Sequence, residues 1–215
     1  QVALDELLLE IDGSTNKSHC GANAILSVSL AAAKAYAAAQ VLPFYAHLAE
    51  GKQEYILPQP MLNVINGGMH ANNDIDFQEF MFVPHNFSSL AESLRAAAEC
   101  TYKLRMQLKA QGKSTAVGDE GGFAPQGLEH EQVMDLLCRS IEMAGYRPGE
   151  DISLALDVAA STFYKDNQYH CQGKTYDAPS WVAFWQAWLR RYPIISIEDA
   201  MAEEDWTGWA LLSSV

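Results

Sequence analysis

The chain has 215 residues, enough for a sizeable core and one or two domains, and its 49% hydrophobic and 19% charged residues are the balance of an ordinary globular protein. A formal net charge of -13 repels phosphate backbones, which excludes nucleic acid as a general partner and suits a protein that gathers carboxylates around a cation. The four cysteines, Cys20, Cys100, Cys138 and Cys171, are scattered without CxxC spacing, so the expectation is a reducing compartment with neither a disulfide framework nor a zinc site.

Residues 1–12 alternate acids with leucines and lack the pattern of a signal peptide. "GANAILSVSLAAAKAYAAAQ", residues 21–40, is rich in the best helix former. Asn16 and Ser18 are possible caps, Pro43 lies just beyond, and the plain reading is a buried packing helix. Its most apolar run, Ala24 to Ala33, is too short to span a bilayer and ends at Lys34. A polar loop near 51–54 separates this helical piece from the rest.

The rhythm then changes. "MLNVIN" predicts a strand ending at Gly67-Gly68, and "DFQEFMFVP" a second strand closed by Pro84. Ser89 and Glu92 form a capping-box pattern opening a long helix that stops near Gly112. After the Gly-rich "VGDEGGFAP" comes a helix over 129–144, with Val133, Leu136, Leu137 and Ile141 on one face and Gly145 at its C-terminal end. "ISLALDV" predicts an apolar strand ending at Asp157, and "FYKDNQY" a tight hairpin with Asn167 in a left-handed conformation. "PSWVAFWQAWLRRYP" predicts a helix whose Trp181, Phe184, Trp185, Trp188 and Leu189 form a core stripe. The strand "PIISIED" follows. Alternating strands and helices, with nearly all-apolar strands expected to be covered on both faces, predict an α/β sheet or barrel.

Asp157 and Glu198 each stand where an apolar strand ends, with a helix between them. That crossover makes the strands parallel neighbours and brings both carboxylates to one rim, where barrels build active sites. Either acid could instead cap the next helix. Several acids on one rim repel each other, a cost that a divalent cation removes, and oxygen-only ligands favour Mg²⁺ over zinc. Glu79 is expected within a strand, between Phe77 and Phe80. Glu120 lies in "GDEGG", where glycines either let the backbone approach a ligand or serve plain turn chemistry. Carboxylates sharing a pocket drive their pKa values apart, so that one stays protonated as a general acid. His70, read alone, is an ordinary loop histidine.

"DGSTNKSHCGANAILSVSLAAAKA", "LNVINGGMHANNDIDFQEFM", "AVGDEGGFAP", "LALDVAAS" with "FYKD", and "YPIISIED" with "EEDW" together resemble the enolase family, in its order and over essentially the whole chain. "GGMHANNDIDFQEFM" is similar to the bacterial branch. The resemblance implies that residues 1–55 are the C-terminal part of a small α+β N-terminal domain. Residues 56–215 would then be the first half of a (β/α) barrel, about four strands, opening with two strands and two helices before alternating. A complete barrel needs ~250 residues. The chain starts at Gln1 without an initiator methionine and stops inside what reads as a helix, so the expectation is a fragment cut at both ends and inactive by itself.

The activity implied is Mg²⁺-dependent, reversible dehydration of 2-phosphoglycerate to phosphoenolpyruvate. By the same resemblance Asp157 and Glu198 are two of three carboxylates that bind Mg²⁺, with Asp199 in a supporting role. Glu120 is the general acid for the departing hydroxyl, Glu79 its acidic companion, and His70, Gln78 and Glu79 contact substrate. The third metal carboxylate, the lysine base and further substrate-binding residues would follow Val215, and the mobile serine loop would precede Gln1. Ala200 stands where many enolases carry Pro or Gly, a small residue expected to be tolerated. A cytoplasmic homodimer or larger homo-oligomer is implied, with no nucleic-acid partner and no membrane span. Two alternatives stay open: another lyase or isomerase of the enolase superfamily, and a non-enzymatic binding role.

Overall fold

A computed structural model describes residues 1–215 apart from 50, 53 and 119, and its contacts divide the chain into two units, Gln1–Leu57 and Pro58–Val215. The first unit holds helices α1 (Val2–Asp12), α2 (Ala22–Ala39) and α3 (Phe44–Leu48). Gly13, left-handed at φ 66°, ends α1. Just before it the buried Asp12 accepts the Cys20 and Ser14 amides at 2.7 and 3.1 Å, and these bonds hold its carboxyl down at about 2. That staple, rather than Asn16 or Ser18, organises the approach to α2, whose N-cap is Gly21 with no side-chain cap.

The expectation of a buried α2 is corrected. Only Ala33 and Ala37 are buried, while Leu26, Val28, Leu30 and Tyr36 are exposed, because within this unit only α1 and α3 pack against it. By length and composition alone α2 is long and apolar enough to cross a membrane, a wider stretch than Ala24 to Ala33, although Lys34 lies inside it.

The second unit begins with β1 (Leu62–Asn66) and β2 (Glu79–Pro84), followed by helices α4 (Leu90–Ala110) and α5 (His130–Met143). Next come β3 (Ile152–Asp157), the short strands β4 (Tyr164–Lys165), β5 (Gln168–Cys171) and β6 (Lys174–Tyr176), helix α6 (Ala178–Arg191), strand β7 (Ile194–Glu198) and helix α7 (Trp206–Leu212). The main sheet has the order β1-β2-β3-β7, antiparallel across β1/β2 and β2/β3 and parallel across β3/β7, as the crossover through α6 requires. β4, β5 and β6 form a separate antiparallel sheet. Its first turn, Asp166-Asn167, has φ 52° and 60°, the paired positive values of a type I′ hairpin.

Strand alternation divides the core. Phe80, Phe82, Leu154 and Leu156 join the large cluster with α4, α5 and α6, while Met81, Val83 and Ala155 form a small second cluster. β3 is buried along its whole length, but β7 is largely exposed, with Ile195 at 56%. The expectation that both apolar strands are covered on both faces therefore holds for β3 alone, since β7 is the sheet's edge among the described residues.

The helices end as their sequence signals require. Ser89 Oγ accepts the Glu92 amide at the start of α4, although Glu92 turns its carboxylate to Arg95 instead of closing a reciprocal box. Gly112 at φ 68° and Gly145 at φ 90° follow the ends of α4 and α5. In α6, Asp177 caps the Ser180 amide at 3.0 Å. Trp181, Trp185 and Trp188 are buried and Phe184 is partly so, but Leu189 is exposed, being eight residues beyond Trp181 and therefore at the margin of the stripe. Both Trp181 Nε1 and Trp185 Nε1 donate to Ala200 O, at 2.7 and 3.3 Å, so the stripe also anchors the loop just after β7.

Trp181→Phe removes the shorter of these bonds and leaves a small void. It is expected to destabilise the protein by ~2 kcal/mol in urea unfolding followed by far-UV circular dichroism. No loss would mean that the Trp181 bond contributes nothing to holding the Ala200 loop beyond packing and the Trp185 bond.

Candidate active site

The site is built from one row of residues across the main sheet. Asn66 pairs with Glu79, Glu79 with Asp157, and Asp157 with Glu198. Because β2 runs antiparallel, its first residue reaches the rim where β1, β3 and β7 end. Glu79 is thus the opening residue of β2 rather than a mid-strand position, and this is what brings it beside the strand-end carboxylates. Neighbouring strands are about 4.8 Å apart, so three acids occupy adjacent places along the rim.

Gln78 latches the row. Its amide donates to Asp157 O at 3.0 Å, and its side-chain Nε2 to Asp157 Oδ2 at 2.9 Å. Asp157 Oδ1 accepts the Ala159 amide at 3.2 Å, where the chain turns left-handed at φ 47°. Asp157 is nearly buried, whereas Glu198 is exposed.

The acids after β7 separate by role. Asp199, at φ 47°, uses its carbonyl to accept the Ala160 amide at 3.1 Å, and Asp205 caps α7 at the Gly208 amide while accepting the Tyr169 hydroxyl at 2.6 Å. Ala200 is 1% exposed, which suits the small side chain expected there.

His70 closes a short 3₁₀ turn, Gly68–His70. A Cβ at Gly67 would run into the carbonyl oxygens of Phe77 and Ile75, so the chain passes here only without a side chain. From this turn His70 Nδ1 lies 3.1 Å from Glu120 Oε2 and 3.4 Å from Glu79 Oε1. The Glu120 loop is set by two asparagines that the sequence reading did not single out. Asn66 Nδ2 donates to Gly122 O at 2.9 Å, and Asn73 Nδ2 to both Asn66 O and Pro125 O at 2.9 and 3.0 Å. Their signal was available in "NGG" and "ANND", polar amides beside a glycine turn. Asp119, within the same loop, lies outside the described residues.

Burial first, then the hydrogen bond it shares with Glu120, then the charges of Glu120, Asp157 and Glu198, push the Glu79 carboxyl up to about 7. Near neutral pH the Glu79 carboxyl is therefore still partly protonated. Glu198, though exposed, is raised as well, by partial desolvation at the rim and by the charges of Asp157 and Asp199. Among the described residues neither Asp157 nor Glu198 makes an ion pair with Lys or Arg. These two hard oxygen donors, side by side and mutually repelling, fit a divalent cation, which would remove that cost. His70, Glu79 and Glu120 also offer ligand atoms within 4.8 Å of one another.

The rim thus sets Glu79 and Glu120 against His70, beside the strand-end carboxylates Asp157 and Glu198, which makes the chain an α/β protein of partial-barrel type with an acidic strand-end site. Residues 54–215 match the family model described as "Enolase, C-terminal TIM barrel domain", and residues 1–48 match "Enolase, N-terminal domain". The chain belongs to the enolase family.

A carboxyl that titrates near 4.5 when unfolded and at about 7 when folded keeps its proton in the native state while the unfolded chain has already released it. Stability therefore falls as pH rises through that window, and the loss is complete above it. Glu79→Gln cannot ionise. In EDTA it is expected to raise the melting temperature at pH 8 and to change it little at pH 4.5. An equal change at both pH values would show that the strain at this site is not ionisation of Glu79.

Proposed function

We propose that this protein catalyses the reversible, Mg²⁺-dependent dehydration of 2-phosphoglycerate to phosphoenolpyruvate, in glycolysis and gluconeogenesis. The observation that carries the reading is the meeting of Glu79 and Glu120 at His70, with the Glu79 carboxyl pushed up by burial and by its acidic neighbours, beside the register partners Asp157 and Glu198.

The difficulty in this reaction is removing a proton next to a carboxylate that is already negative. Asp157 and Glu198 would hold Mg²⁺, which when bound supplies positive charge to stabilise the enolate. Glu120 donates the proton to the departing C3 hydroxyl, which leaves as water, and Glu79, whose carboxyl is pushed up to about 7, resupplies that proton. His70, between the two glutamates, orients them and faces the substrate. Gln78, bonded to Asp157, contributes the second polar contact. The family resemblance assigns removal of the C2 proton to a lysine base. Motif similarity supports a bacterial-type enzyme, and the four unpaired cysteines suit a cytoplasmic setting. Assembly as a homo-oligomer rests on the family resemblance.

The deciding experiment is turnover of 2-phosphoglycerate by the protein at the natural length of its gene, with Mg²⁺ and then with EDTA. Metal-dependent phosphoenolpyruvate formation is expected. A folded protein without it would move the activity to another acid substrate of the superfamily or to a binding role. Glu120→Gln is expected to retain Mg²⁺ affinity while lowering kcat by about 10²–10⁴-fold, and near-normal turnover would remove Glu120 from the acid's role. Asp157→Ala is expected to weaken Mg²⁺ binding, since a hard cation loses a charged oxygen. An unchanged magnesium titration would leave Asp157 as the latch for Gln78 alone.

A further inference from the structure

The segment that carries Gln78 and Glu79 onto the rim is not held by the sheet alone. On one side the Gly67 amide donates to Gln78 O at 3.0 Å and the Gly68 amide to Ile75 O at 2.7 Å. On the other side the segment meets a fully buried histidine, His130, the first residue of α5. His130 Nε2 accepts the Asp76 amide at 3.0 Å and the Phe77 amide at 3.4 Å, and its ring stacks on Phe77 with centroids 3.9 Å apart. Two backbone donors on Nε2 require a lone pair there, so the neutral ring carries its proton on Nδ1. That nitrogen faces Cys171 Sγ at 3.8 Å, the geometry of a weak N–H···S bond. The next residue, Gln172, left-handed at φ 49°, donates its amide to Asp76 Oδ2 at 2.6 Å.

We propose that His130 is a positioning residue for the acid–base centre: as a neutral, Nδ1-protonated ring it pins the Asp76 and Phe77 amides, and with the β5–β6 turn it fixes where Gln78 and Glu79 stand on the rim. Burial holds the imidazole neutral, with its pKa pushed down to about 3. Asp76, His130 and Cys171 bring ligand atoms within 4.8 Å of one another, but a histidine whose Nε2 is committed to two amides and whose Nδ1 bears the proton has no lone pair left for a metal. Without His130 two amides next to the site lose their acceptor. Displacement of catalytic groups by about an ångström lowers rates by on the order of a hundredfold.

The kinetic part of this inference rests on the function proposed above, whereas the pin itself does not. In the natural-length protein carrying ¹⁵N-labelled histidine, the ring signals of His130 are expected to show the Nδ1–H tautomer at neutral pH. An Nε2–H tautomer overturns the proposal. His130→Leu is expected to lower kcat/KM for 2-phosphoglycerate by about 10- to 100-fold and to speed amide exchange at Asp76 and Phe77. His130→Gln, whose Oε1 reaches the place of Nε2, is expected to restore turnover to within about threefold. A Leu variant with full turnover, or a Gln variant as impaired as the Leu variant, overturns it. If the Leu variant does not fold, the wild-type tautomer and the Gln variant decide. If the wild-type protein does not turn over 2-phosphoglycerate, the functional reading fails alone, and tautomer and amide exchange still test the pin.

Discussion

The register between β2 and β3 is the constraint on which the rest of the site depends. Six residue pairs run from Glu79 opposite Asp157 to Pro84 opposite Ile152. Because side chains alternate, a slip of one residue would turn Phe80 and Phe82 out of the large core and send Glu79 to the opposite face. The apolar pairs Phe80–Leu156 and Phe82–Leu154, all completely buried, therefore specify where the carboxylates stand. Hydrophobic burial decides a polar geometry that electrostatics by itself would oppose.

That opposition has a chemical use. Four carboxyl groups, of Glu79, Glu120, Asp157 and Glu198, are gathered with His70 and no arginine or lysine ion-paired to the strand-end acids among the described residues. The cluster lowers its own repulsion in two different ways at its two ends. Glu79, more buried than Glu120, is pushed toward its neutral form. Asp157 and Glu198, register partners at two strand ends, are suited to a cation. In the dehydration proposed above, a proton at one end would serve the leaving group and a metal at the other would supply positive charge for the enolate.

The frame around the rim is more than bulk packing. Trp181 and Trp185 spend their indole N–H groups on Ala200 O, two residues past Glu198, and Trp209 donates to Ala202 O at 3.0 Å. Asn66 and Asn73 tie the end of β1 to the glycine loop of Glu120. Large aromatic surfaces fix position, and single polar atoms at their edges fix the loops that bear the chemistry.

Much of this was legible in the residues. Helix periodicity, the cap at Ser89, the hairpin at Asp166-Asn167 and the strand-end places of Asp157 and Glu198 follow from local rules that act over a few neighbours, and the family motifs named the candidate acids. The sequence alone could not show that Glu79 opens β2 instead of lying within it, because strand ends depend on partners. Nor could it show that α2, Leu189 and β7 are exposed, since periodicity says which residues share a face but not what covers that face. His130 was invisible for a similar reason: its partners are the backbone amides of Asp76 and Phe77, and a backbone amide carries no sequence signal. Local pattern determined the elements and the chemical inventory. The meeting of Glu79, Glu120 and His70, and the upward push on the Glu79 carboxyl, were decided only by the tertiary structure, because burial and charge at a point are sums over residues far apart in the chain.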